Sequence, residues 1–108
     1  LGGERGGVRI EGFDLGNSPT DYTPASVGGK TVVFTTTNGT AAMQHCAQAN
    51  EVLLAAFANL ESLCEKLESS EQTDILCAGT CGQITLEDVL LAGAIVDRLV
   101  LARPAAAA

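Results

Sequence analysis

Thr35-Thr36-Thr37-Asn38-Gly39-Thr40 is the stretch on which the reading of this chain turns. It follows Lys30-Thr31-Val32-Val33-Phe34, a β-branched and aromatic run that predicts a strand over residues 31–35. It precedes Ala41-Ala42-Met43-Gln44, which predicts a short helix over residues 39–48. A hydroxyl-rich turn from strand to helix suits an anion, because the first N–H groups of a helix lack internal partners and carry partial positive charge. Gly39 lets the backbone come close or take a positive φ. Asn38 and the threonine hydroxyls can bond an oxyanion, or they can simply cap the helix.

Outward from this turn the pattern is regular. Residues 52–55 predict a second strand, and 60–68 a helix with Asn59 as N-cap and Leu60, Leu63, Cys64 and Leu67 on one face. Residues 74–77 predict a third strand and 78–84 a loop. Thr85-Leu86-Glu87-Asp88 has the form of a capping box, with Asp in the usual Glu/Gln place. It opens a helix to about residue 102, with Leu86, Val89, Leu90, Gly93, Val96, Leu99 and Val100 inward. Gly93, between Ala92 and Ala94, would allow close approach of the sheet or of a partner, which leaves a homo-oligomer open.

The expected fold class is therefore α/β, a three-layer α/β/α arrangement whose mostly parallel sheet is built from βα units. Residues 1–108 read as a single domain, with a Gly-rich loop segment over 1–30 and a βαβαβα core over 31–102. In such sheets ligands sit beyond the carboxyl ends of the strands. That rule selects the loops at 36–40, 56–59 and 78–83, the first of which residue chemistry had already selected. In the last of them, Gly79 and Thr80 repeat the glycine–hydroxyl pairing.

The first 22 residues hold six glycines and read as loop, mobile unless ordered by a ligand or by the fold. Val8-Arg9-Ile10 predicts a short strand within it. Glu11-Gly12-Phe13-Asp14-Leu15-Gly16-Asn17-Ser18-Pro19 gathers hard oxygen ligands of the kind Mg²⁺ takes, although the same residues gather for turn chemistry alone.

Composition narrows the function. The chain has 108 residues, 46% hydrophobic but only 4% aromatic, so Leu, Val, Ile and Ala must build its core. A net charge of −7 argues against a nucleic-acid surface, which is normally basic. The longest apolar run falls far short of the ~20 residues that span a bilayer. Four cysteines, Cys46, Cys64, Cys77 and Cys81, fit neither a dense disulfide framework nor the close pairs of a zinc site. They read as reduced thiols in a cytoplasmic protein, with Cys46, Cys64 and Cys77 as small core side chains. The Leu1 start, the Gly-rich opening and the Pro104-Ala105-Ala106-Ala107-Ala108 end suggest part of a longer protein.

Four motifs occur in order: Gly2-Gly3-Glu4-Arg5-Gly6-Gly7, the Glu11-to-Pro19 segment, Thr35-to-Thr40, and Cys77-Ala78-Gly79-Thr80. Together they resemble the 2-phosphosulfolactate phosphatase family, over residues 2 to about 99. The resemblance implies an α/β fold and Mg²⁺-dependent hydrolysis of 2-phospho-3-sulfolactate to 3-sulfolactate and phosphate, a step in coenzyme M biosynthesis. The partner implied is a small-molecule phosphate ester. Two departures stand out. The family's N-terminal region, with an acidic strand end and an Arg-Ala-Thr-type segment, is missing here. Cys81 stands where the family pattern leads one to expect Asp, and a soft sulfur is a poor Mg²⁺ ligand.

On this reading Glu4, Glu11 and Asp14 are candidates for metal binding or water activation, with Asn38 beside them as a catalytic candidate. Arg5 and Arg9 are candidates for the phosphate or sulfonate, since Arg presents a planar donor fork. Thr36, Thr37, Gly39 and Thr40 would cradle an oxyanion, as would Gly79 and Thr80. Two other readings stay open. One is a non-catalytic anion- or nucleotide-binding domain. The other is a cysteine enzyme using Cys81 with His45, disfavoured because His45 falls in the middle of the first predicted helix.

Overall fold

A computed structural model of the chain describes residues 1–102; the proline–alanine end, 104–108, lies outside the described residues. The chain is mixed α/β and divides into two compact units, Leu1–Ala47 and the part from Gln48 onward.

The first unit is built on a segment that reads as loop. Strand β1, Gly2–Arg5, is the central strand of a three-stranded sheet. It pairs antiparallel with β2, Val8–Arg9, and parallel with β3, Phe34–Thr35. Glycines normally weaken strands, but within one they mark close backbone approach. Gly3 has φ 146°, and a Cβ there would collide with the Thr35 carbonyl oxygen. A Cβ on Gly2 would collide with the Tyr22 hydroxyl. The Tyr22 hydroxyl donates to the Gly16 carbonyl at 2.5 Å, and its ring meets Phe34 edge-on at 5.7 Å. Backbone bonds tie the acidic loop to β1 as well: the Gly3 N–H donates to the Leu15 and Gly16 carbonyls, each at 3.1 Å.

Two helices complete this unit. Helix α1, Pro24–Val27, starts from a capping box: Thr23 Oγ1 accepts from the Ser26 N–H, Ser26 Oγ accepts from the Thr23 N–H, and Pro24 supplies a preset φ. Helix α2, Asn38–His45, follows β3.

In the second unit, α3, Leu60–Leu67, lays Leu63, Cys64 and Leu67 against Ile95 of α4, Leu86–Ala102. Leu53, Leu60, Leu91 and Leu99 border this small core. The stripe on α3 is the predicted one. On α4 it runs through 91, 95 and 99, whereas Leu86, Val89, Leu90, Val96 and Val100 are exposed. This helix is apolar almost all round, so periodicity could not single out a face. Gly93 allows no close approach, since a Cβ there would meet open space.

The strands expected at 52–55 and 74–77 are not formed among the described residues. A strand requires a ladder partner, and neither segment has one there. Val52, Leu54, Ile75 and Leu76 are exposed instead. Asn59 does not cap α3; its side chain takes the Ala56 N–H at 2.8 Å and donates to the Leu54 carbonyl at 2.9 Å. The capping box at 85–88 does not close either. Thr85 Oγ1 is buried without a partner, and the Asp88 carboxylate reaches back to the Gly79 N–H at 2.6 Å. No disulfide links the cysteines among the described residues; Cys64 is buried, Cys46 half-buried, and Cys77, expected in the core, is exposed.

Candidate functional site

Parallel pairing of β1 with β3 brings the end of the Gly-rich motif to the 36–40 turn. Glu4 is only 6% exposed, and its carboxylate faces three donors. Oε1 accepts from the Thr37 N–H at 2.6 Å. Oε2 accepts from the Gly7 N–H at 2.6 Å and from the Thr37 hydroxyl at 3.0 Å. The Thr37 oxygen in turn accepts from the Gly6 N–H at 2.9 Å. These bonds, that from Gly7 foremost and that from the Thr37 N–H next, hold the Glu4 carboxyl below its usual value of 4.5 against the opposing effect of burial.

The turn also closes on itself. Thr40 Oγ1 accepts from the Thr36 N–H at 2.8 Å, and Thr36 Oγ1 accepts from the Thr40 N–H at 3.2 Å. Of the residues expected as caps, Thr36 thus serves a first-turn donor, whereas Thr37 makes no side-chain cap and Asn38 is already the first helical residue. Gly39 does not take a positive φ, and a Cβ there would lie 3.1 Å from Thr36 Oγ1, a tight contact that a small shift of that side chain would relieve. The exposed Arg5 side chain crosses to this turn and donates from Nη1 to the Thr36 carbonyl at 3.3 Å.

Glu4, Arg5, Thr36, Thr37, Asn38, Gly39 and Thr40 therefore come together at the start of α2. Arg9 and Asp14 make a second grouping, in which Arg9 Nη1 donates to the Asp14 carbonyl at 3.3 Å. The Asp14 carboxylate lies beside the Leu1 backbone nitrogen. Glu11 is exposed. Among the described residues no three of His, Cys, Asp and Glu gather where a metal ion could be held. Glu4, Glu11 and Asp14 thus do not fit a closed Mg²⁺ site made by the three together.

Gly79 and Thr80 belong to the second unit. Thr80 and Gln83 exchange backbone bonds at 3.0 and 2.9 Å around a two-residue turn, with Cys81 at φ 51° and Gly82 at φ 74°. Positive φ at both central positions is the hairpin geometry that Asn-Gly or Asp-Gly adopts most easily. The Gly79 N–H, offered above to an oxyanion, is spent on Asp88. His45 lies in the last turn of α2.

What sequence reading missed is the task of the Gly2-Gly3 pair and the acceptor role of Glu4. The available signal was a glycine pair directly before Glu-Arg, a pattern that fits a strand packed tightly against another backbone.

A sequence model described as 2-phosphosulpholactate phosphatase matches residues 1–107. The chain belongs to the 2-phosphosulfolactate phosphatase family. It is 48% identical over 100 residues to a protein of Caldanaerobacter subterraneus subsp. tengcongensis named "Probable 2-phosphosulfolactate phosphatase", with 92% of this chain and 42% of that protein covered. Proteins of the same name from Thermotoga maritima and Deinococcus radiodurans are each 48% identical, over 97 and 102 residues, covering 90% and 92% of this chain. The chain spans 42% of the length of these family relatives.

Proposed function

We propose that this chain supplies the anion-binding part of a phosphatase that hydrolyses 2-phospho-3-sulfolactate to 3-sulfolactate and phosphate. The observation that carries the reading is the Arg5 guanidinium held against the Thr36 carbonyl, beside the start of α2, in a chain of this family. The guanidinium fork and the helix N-terminus both favour an anion. An overall charge of −7 does not oppose this, because the local field decides where an anion settles. Asn38 and Gly39, in the first turn of α2, complete the candidate cradle.

In the reaction the oxygen of water forms a new bond to phosphorus while the ester P–O bond breaks, and the departing alcohol oxygen takes a proton. Catalysis of phosphoryl transfer rests on positioning and charge stabilisation, the two services that Arg5 and this turn can give. Mg²⁺ dependence is part of the proposal through the resemblance alone. Since Glu4, Glu11 and Asp14 do not converge, a bound Mg²⁺ would rely on at most one or two of these carboxylates, with water and substrate oxygens filling its remaining positions.

The proposal also includes the three-layer arrangement, in which residues 52–55 and 74–77 become strands of a larger sheet. Their exposed apolar side chains support it. Coenzyme M biosynthesis, a cytoplasmic location and the absence of nucleic-acid binding follow the same reading. No helix among the described residues is long and apolar enough to cross a membrane. Exposed Val89, Leu90 and Val96 on α4 are consistent with cover by further chain or by a second copy.

Release of inorganic phosphate from 2-phosphosulfolactate by the full-length protein, with and without Mg²⁺, tests the reading. Turnover that stops on metal removal supports it. A folded protein that binds phosphate but never releases it from the ester leaves an anion-binding domain instead.

A further inference from the structure

We propose that Glu4 is a positioning residue, which fixes the 36–40 turn and the Gly6-Gly7 turn in the arrangement that receives the anion, and that it does not ligate a metal. This rests on the phosphatase reading and deepens it. A metal ligand needs oxygen lone pairs aimed at the ion. Glu4 aims both oxygens at N–H and O–H donors: Thr37 N–H, Thr37 Oγ1 and Gly7 N–H. It is almost wholly enclosed, whereas Arg5, the next residue, is exposed. The bonds to Thr37 span 33 positions of sequence, and they are the charge-assisted part of a link between two segments that the short β1–β3 ladder, the Gly6–Thr37 bond and the Arg5–Thr36 bond also join. Charge-assisted bonds of this kind are stronger than neutral ones and fix geometry well. Through them the carboxylate sets where Thr37 and the start of α2 lie relative to Arg5. A residue acting this way changes anion affinity without touching the anion.

The test uses the full-length protein, inorganic phosphate as ligand, and Glu4→Gln. The amide keeps the shape but turns an NH₂ group toward at least one donor. Phosphate Kd should rise about 10–100-fold, the scale seen when a residue supporting a site is lost. The Mg²⁺ concentration giving half-maximal activity should stay within about two-fold of wild type, and Thr37→Val combined with Glu4→Gln should weaken phosphate no further than the worse single variant. A weakened Mg²⁺ response with normal phosphate affinity overturns the proposal in favour of a ligand role. Normal phosphate affinity and a lowered unfolding midpoint overturn it in favour of a purely structural one. Hydrogen exchange in the wild-type protein gives an answer even if the variant does not fold. Saturating Mg²⁺ should leave the Thr37 and Gly7 amides protected; their exposure on Mg²⁺ binding would show Glu4 leaving them for the ion. A wild-type protein that binds no phosphate contradicts the anion site itself, a failure distinct from all of these.

Discussion

Glu4 and Thr37 are joined twice, by the Thr37 N–H at 2.6 Å and by its hydroxyl at 3.0 Å. This double link ties the central strand of the first unit to the helix that follows the edge strand, and it has a pH signature. The folded-state carboxyl of Glu4 lies below its usual 4.5, so its contribution to stability is fully present above that value. It is lost as pH falls through the lowered folded-state value. The stability difference between wild type and Glu4→Gln should therefore be constant near neutrality and shrink in acid below about pH 4.5. Unfolding midpoints measured across that range check it; a difference that widens in acid would contradict the assignment.

Gly3→Ala tests the close approach of β1 and β3. A methyl group at φ 146° beside the Thr35 carbonyl combines a backbone penalty with a clash. The expected loss is about 2–4 kcal/mol, the sum of a strained φ and an overpacked contact. Denaturant unfolding measures it, and a loss under about 0.5 kcal/mol, the range of an ordinary surface change, would mean that the strands do not meet as described.

On α4, Ile95 is 2% exposed and Gly93 faces open space. Ile95→Ala should cost about 2–4 kcal/mol by leaving a cavity against α3. Gly93→Ala should instead stabilise by about 0.5–1 kcal/mol, because it removes a flexible residue from a helix interior. Loss of stability in Gly93→Ala would show that a partner surface packs on that face.

Cys81 holds φ 51° in the turn between Thr80 and Gln83. Asn tolerates that conformation better than most residues, so Cys81→Asn should raise stability by about 0.5–1 kcal/mol. Asp-Gly also suits this turn, so an Asp here would need no metal to account for it. A thermal midpoint that falls in Cys81→Asn would mean that the thiol has a further role.

Much of the candidate site's make-up was legible in the sequence. The hydroxyl-rich turn, the helix after it and the nearby arginine followed from residue chemistry. The α3 stripe followed from spacing, because Leu60, Leu63, Cys64 and Leu67 recur at helical intervals among charged residues. The central strand was hidden, since Gly-Gly-Glu-Arg has neither alternation nor β propensity and is a strand through its pairing with β2 and β3, with Thr35 and Tyr22 close against its bare backbone. The face of α4 was hidden for the opposite reason, an excess of apolar residues. Residues 52–55 and 74–77 have strand-like composition, but pairing is a tertiary property that composition does not carry. Glu4 could be recognised as important, but its acceptor role depends on a partner 33 positions away.

On the proposed reading, Arg5 and the start of α2 receive the phosphoryl group. The most direct measurement is kcat/KM for 2-phosphosulfolactate in the full-length protein, wild type against Arg5→Ala, with folding of the variant confirmed by its unfolding midpoint. Arg5 is exposed and makes one long bond to a carbonyl, so the fold should tolerate its loss. A fall of about 10²-fold or more is expected, the scale for removing one donor to transition-state charge. An Arg5→Ala protein that is folded and hydrolyses the ester at the wild-type rate would contradict it.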